Sequence, residues 1–192
     1  MVKIKLATLL ILLFFPSNLN ALIEVDITRG NLNPLPIAVS PLYSDNETDS
    51  NLKKEISVDN IGSEISNVIE NNLKATGLFN PLEKKAFLQK PDVAHLKPRF
   101  EDWSLIKAQA LITGKVEFKD DKVRVEFRLW DVLAAREMLA LAFTTVPNNW
   151  RRIGHIISDK IYERLTGEKG YFDTRIIYVS EKGPKTKRIK KL

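Results

Sequence analysis

The chain has 192 residues, no cysteine, 30 Lys and Arg against 24 Asp and Glu, and a formal charge of +6. Without cysteine, neither a disulfide framework nor a thiolate zinc site is available, so the fold must be held by packing. The positive charge lies at the ends: Lys3 and Lys5 at the start and Lys182, Lys185, Lys187, Arg188, Lys190 and Lys191 in the last eleven positions leave 22 basic against 24 acidic residues between them, which excludes a folded basic groove for phosphates and leaves only a short tail as an electrostatic footprint.

Lys3 and Lys5 precede an uncharged, mostly aliphatic run over residues 6–15, closed by Pro16 and followed by Ser17, Asn18 and Asn20. A membrane-spanning helix needs about 20 apolar residues; this run is shorter and has the layout of a signal peptide. Ala21 is the small residue best placed for cleavage, although Leu19 at the minus-three position is larger than usual. Residues 1–21 are therefore expected to be a signal peptide, and the remainder is long enough for one domain with its own core.

Residues 22–28 alternate, Ile23, Val25 and Ile27 on one side and Glu24, Asp26 and Thr28 on the other, which predicts a half-buried or edge strand. Arg29, Gly30, Asn31 and Asn33 break it. Residues 34–41 form a short apolar stretch bounded by prolines, read as one brief buried strand. The polar run over residues 43–57 reads as an exposed loop.

Ile61, Ile65, Val68, Ile69 and Leu73 draw a single apolar stripe, predicting a helix over residues 61–75 with Asp59 or Asn60 as its cap and Gly77 as its left-handed stop. Residues 78–82 read as a tight return into the core, and residues 83–98 as short helix plus loop. Residues 108–118, 122–131 and 137–145 read as three consecutive antiparallel strands. Asp120 and Asp121 tolerate the positive φ of a two-residue hairpin turn. In the middle strand Val123, Val125, Phe127 and Leu129 share the buried face, and Arg124, Glu126, Arg128 and Trp130 the wetter one. A second helix follows Pro147, with Asn148 as cap; Trp150, Ile153, Ile157, Ile161 and Leu165 form its stripe and Thr166 and Gly167 its end. The expected fold class is α/β: a two-layer sandwich of two main helices packed on a mixed sheet that contains a three-stranded antiparallel meander. A last strand-like run, residues 174–180, has no evident partner in the chain and leads into the basic tail.

Little in the sequence carries chemistry. His95 and His155 are the two histidines. His155 and Asp159 stand four apart on a helix and can reach one ligand, but a metal site needs three or more ligands. There is no Gly-rich phosphate loop, nucleophile elbow or zincin helix, and the paired carboxylates Asp120 and Asp121 fall in a turn. Trp103, Trp130 and Trp150 lie in three different elements without interleaved bases, which suits core packing and not base stacking. No catalytic, cofactor-binding or metal-binding residue is expected, and no enzyme.

Several segments, in order, carry a resemblance. Residues 36–41 (PIAVSP), residues 77–82 (GLFNPL), Trp103-Ser104 ahead of residues 110–116 (ALITGKV), residues 150–160 (WRRIGHIISDK) and above all residues 165–179 (LTGEKGYFDTRIIYV) are arranged as in the TolB family of the Tol-Pal system; the last resembles the junction between that family's amino-terminal domain and its β-propeller. The resemblance implies an amino-terminal α/β domain over residues 22–170, the start of a truncated propeller and a basic tail over residues 171–192, and a non-enzymatic periplasmic protein that supports outer-membrane integrity and invagination during cell division. In the family the mature amino-terminal segment contacts the carboxy-terminal domain of TolA, an inner-membrane protein, and the propeller binds the lipoprotein Pal. The corresponding partner-binding residues here are Leu22, Ile23, Glu24, Val25, Asp26, Ile27, Thr28 and Arg29; a strand with free amides and carbonyls can add to a partner's sheet edge, or pair within its own domain. Two departures stand out. The loop over residues 43–57 is longer than the family suggests, and the chain stops at Leu192 with no blade-length repeat of about 40 residues, so Pal binding and a nucleic-acid partner are not expected. The alternative reading is a small secreted domain that binds anionic lipid or nucleic acid through its basic tail.

Overall fold

The structure, a computed structural model, describes residues 33–175, 179–184 and 189–191. The expected signal peptide, its cleavage residue Ala21 and the alternating strand over residues 22–29 lie outside the described residues.

A five-stranded mixed sheet in the order β2-β1-β3-β4-β5 organises the chain. β1 (Leu35–Val39) runs parallel to both of its neighbours, β2 (Phe79–Pro81) and β3 (Ala110–Lys119). β3, β4 (Lys122–Asp131) and β5 (Arg136–Thr145) form the antiparallel meander. Parallel strands need long crossovers, and the helices supply them. α1 (Asn46–Ile56) and α2 (Ile61–Ala75) connect β1 to β2; α3 (Pro91–Ala94) and α4 (Phe100–Leu105) connect β2 to β3; α5 (Trp150–Thr166) follows β5.

The local chemistry explains most of these boundaries. β1 is almost wholly buried, as expected for a strand flanked on both sides. The Asp120–Asp121 turn has φ of 52° and 56° at its two residues, the left-handed pair of a tight primed hairpin. In β4, Val123, Val125, Phe127 and Leu129 are buried while Arg124, Glu126, Arg128 and Trp130 face the other way. α2 begins where the Asn60 side chain accepts the Ser63 amide at 3.0 Å, and the chain turns away at Gly77, φ 72°. Gly167, φ 76°, ends α5 in the same way. The stripe of α5 from Trp150 to Leu165 joins that of α2 and the inward residues of β1, β3 and β4 in one core.

Four expectations are corrected. Residues 43–57 are not an exposed loop: they hold α1, whose Asp45 cap accepts the Thr48 amide at 2.7 Å and whose Leu52 is fully buried. The return at residues 78–82 is a strand, β2, pairing in parallel with β1. The cap position of α5 is Asn149 and not Asn148; Pro147–Asn149 form a 3-10 turn ahead of it, and the Asn149 side chain makes no capping bond. Residues 174–180 have a partner at their end, since Ser180 opens β6 (Ser180–Lys182), paired antiparallel with β7 (Ile189–Lys191).

A second, smaller core lies on the opposite face of β1 and β3, where Trp103 of α4 packs with Ala38, Ala94, Ala108, Leu111 and Val132. Buried Gln89 ties this layer together: its Oε1 accepts the Arg99 amide at 2.9 Å and Trp103 Nε1–H at 3.1 Å, and its Nε2 donates to the Lys97 carbonyl at 3.1 Å. Gln89→Leu keeps the volume and strands those groups. The expected loss is about 2 kcal/mol in urea unfolding, because the Trp103 donor is cut off from water whereas Arg99 can recover some hydration.

Candidate partner-binding surface

The segment that carries the expected partner contact, residues 22–29, precedes the described chain by three residues, so the structure defines the platform it springs from. The chain is described from Asn33 onward and passes at once into β1, the second strand of the sheet, between β2 and β3. Leu35 N–H donates to the Leu78 carbonyl at 2.8 Å and the Pro36 carbonyl accepts from Gln109 N–H at 3.0 Å, so the head of β1 is fixed on both sides.

The same end of the sheet collects other chain reversals. β3 starts there, β4 finishes there opposite Ala110, and the Asp131 carboxylate accepts the Ala134 amide at 2.8 Å within the β4–β5 turn. Leu105 at the end of α4 and Leu133 in that turn are 74% and 70% exposed. Large apolar side chains this open, at the end of the sheet where β1 begins, are the kind of surface that partners use, and single leucines at a helix end and in a turn gave no periodic signal by which to find them.

The chain after α5 is pinned rather than loose. The Asp159 carboxylate accepts the backbone amides of Phe172 at 2.7 Å and Asp173 at 3.1 Å. Arg152 grips Asp173 through Nε and Nη2, each at 3.0 Å, and this pairing holds the Asp173 carboxyl below the ordinary carboxylate range. Tyr162, Tyr171 and Phe172 stack edge to face around the junction, and burial pushes the Tyr162 phenol up. Asp159 is thus a backbone clamp. Its helix neighbour His155 accepts at Nδ1 from the side-chain amide of Asn72 in α2, at 2.9 Å. The two side chains are engaged with different partners, and among the described residues no group of three or more His, Asp or Glu could hold a metal ion.

The alternative site, the basic tail, is described only in part: Lys182 lies in β6 and Lys190 and Lys191 in β7, while Lys185, Lys187 and Arg188 lie outside the described residues. Trp103 is a core residue, 1% exposed, and Trp130 donates through Nε1 to Thr113 at 2.9 Å on the other face of the sheet from the main core. No helix among the described residues is long and apolar enough to cross a membrane.

Comparison with known proteins places this architecture. The family described as the TolB amino-terminal domain matches residues 23–138. The chain belongs to the TolB family. The match begins inside the alternating segment and ends within β5, so the candidate segment is part of the family's domain from Ile23 onward. A relative, the Tol-Pal system protein TolB of Pelagibacter ubique (strain HTCC1062), is 74% identical over 183 residues, which make up 95% of this chain and 41% of the relative. The chain therefore spans less than half the length of that TolB protein. The crystal structure of TolB from Acinetobacter baumannii superposes with a TM-score of 0.61 at 24% identity, covering 82% of this chain and 35% of that one; it shares the fold. The described residues of this TolB-family chain contain no β-propeller.

Proposed function

We propose that this TolB-family chain is a non-enzymatic interaction component of a Tol-Pal system in the bacterial periplasm, supporting outer-membrane integrity and the invagination of that membrane during division. The observation that carries this reading is the family match, which opens at residue 23 within the alternating segment. On this reading Leu22, Ile23, Glu24, Val25, Asp26, Ile27, Thr28 and Arg29 meet a TolA-like inner-membrane protein by strand addition. The backbone supplies the hydrogen bonds, and Ile23, Val25 and Ile27 fill one side of the partner's sheet. Pal binding is not assigned to these residues.

A peptide of residues 22–33 is expected to bind the carboxy-terminal domain of TolA in calorimetry. Val25→Pro removes a main-chain donor in mid-strand and is expected to weaken binding at least about tenfold, or about 1.4 kcal/mol. Absence of binding by both the peptide and the exported chain would overturn the reading. Export adds a separate check: amino-terminal sequencing of the chain recovered from the periplasm is expected to start at Leu22, with processing after Ala21. A start at Met1 would leave the segment tethered behind an apolar leader and contradict it.

A further inference from the structure

The two borders of the sheet differ. β2 is three residues long and ends in Pro81, features that blunt an edge. β5 is ten residues long and, among the described residues, pairs only with β4. From Met138 to Thr145 it contains no Lys, Arg, Asp, Glu or Pro, the residues that normally stop a free edge from recruiting another strand. Its middle is bare on both faces, since Ala140, Leu141 and Ala142 are exposed in succession although neighbouring strand residues point to opposite sides. Arg164 of α5 reaches only its beginning, where Nε donates to the Met138 carbonyl at 3.1 Å. Leu139, Leu141 and Phe143 share the helix side, opposite Leu129, Phe127 and Val125 of β4.

We infer that this edge pairs with β5 of a second copy of the chain, antiparallel about a two-fold axis through Leu141. The sequence is self-complementary in that register. Leu139 faces Phe143 of the second copy and Leu141 faces its own counterpart, so six apolar side chains form one strip beneath the two helical layers. Ala140 faces Ala142 on the other side, and Met138 faces Thr144. Glu137 faces Thr145, so no like charges meet across the seam. A slip of one residue sets leucines against alanines and puts the two helical layers on opposite sides of the joined sheet. The interface is isologous and closes at two copies, which leaves the short β2 edges as the ends of a continuous ten-stranded sheet.

Because the chain has no cysteine, single-cysteine variants report the register in expressing cells. Leu141→Cys brings two thiols together at the axis and is expected to give at least about tenfold more disulfide-linked dimer under mild oxidation than Leu105→Cys, a more open position away from the edge. In solution the cysteine-free chain is expected to dimerise with rising concentration in sedimentation velocity, and Leu141→Lys to keep it monomeric with an unchanged circular dichroism spectrum. A chain that stays monomeric at roughly 100 μM overturns the inference. So does equal cross-linking at the two cysteine positions, or a Leu141→Cys adduct with a different protein.

Discussion

Gly62→Ala is expected to destabilise the protein by more than about 3 kcal/mol, although alanine is the better helix former by about 1 kcal/mol. The reason is where Gly62 sits. It occupies the second position of α2, where the helix start meets the chain just beyond β1 backbone to backbone: Leu42 N–H donates to the Gly62 carbonyl at 3.3 Å and to Ser66 Oγ at 3.0 Å. A Cβ on Gly62 would stand 1.8 Å from the Leu42 carbonyl oxygen and 2.8 Å from its carbon. Those are main-chain atoms and cannot swing aside, so α2 has to back away, opening the core at Ile61 and Ile65 and pulling Ser66 from its bonds to Ser40 and Leu42. Gly77 is the control. Its φ is 72° but a Cβ there meets nothing within 4 Å, so Gly77→Ala is expected to cost about 1–2 kcal/mol of backbone strain alone. Urea unfolding of the two variants side by side measures the difference; equal losses would show that the close approach at Leu42 relaxes freely.

That contrast also shows what was legible in the sequence. Gly77 follows an apolar stripe, and its role as a helix stop could be read locally. Gly62 lies inside the stripe, and nothing nearby announces that Leu42, twenty positions earlier, lies against it. The same division runs through the fold. α2, β3, β4 and α5 each bury several side chains, α2, β4 and α5 at a regular period, and the sequence pattern located them well. α1 buries only Thr48 and Leu52; its ends are written in its caps, Asp45 and the left-handed Ser57, and not in hydrophobic spacing, so the run reads as loop. β2 is three residues with a proline, too short for alternation to show. The alternation of residues 22–28 is the sequence feature behind the proposed partner contact, whereas the clamp at Asp159 depends on a carboxylate meeting amides thirteen and fourteen positions later, a contact with no local signature.

Asp159→Ala is the second large effect expected, a loss of about 3 kcal/mol together with release of the segment around residue 172. Two amide donors to a carboxylate contribute roughly 1.5–3 kcal/mol each where water is excluded; here the site is half-buried, so the sum is discounted. The surrounding contacts depend on that carboxylate. Gly170 lies so close to Asp159 that a Cβ on it would be 2.4 Å from the Asp159 Cα, and Tyr171 and Phe172 reach Tyr162 with ring centroids at 5.6 and 5.9 Å only while their backbone is held. The exposed Arg152–Asp173 pair cannot replace the clamp, because ion pairs open to solvent contribute little. That pair does give the junction a pH dependence of known sign. The Asp173 carboxyl is held below its unfolded value, so its contribution is present above the ordinary carboxylate range and is lost as the pH falls through the lowered value. The wild-type junction should therefore loosen only in acid, whereas Asp159→Ala loosens it at neutral pH. The expected readout is a midpoint lowered by roughly 6–12 °C with new chymotryptic cleavage at Tyr171 and Phe172 at pH 7. A variant that keeps both the midpoint and the resistance to cleavage would show that the ring stack alone holds the chain to α5.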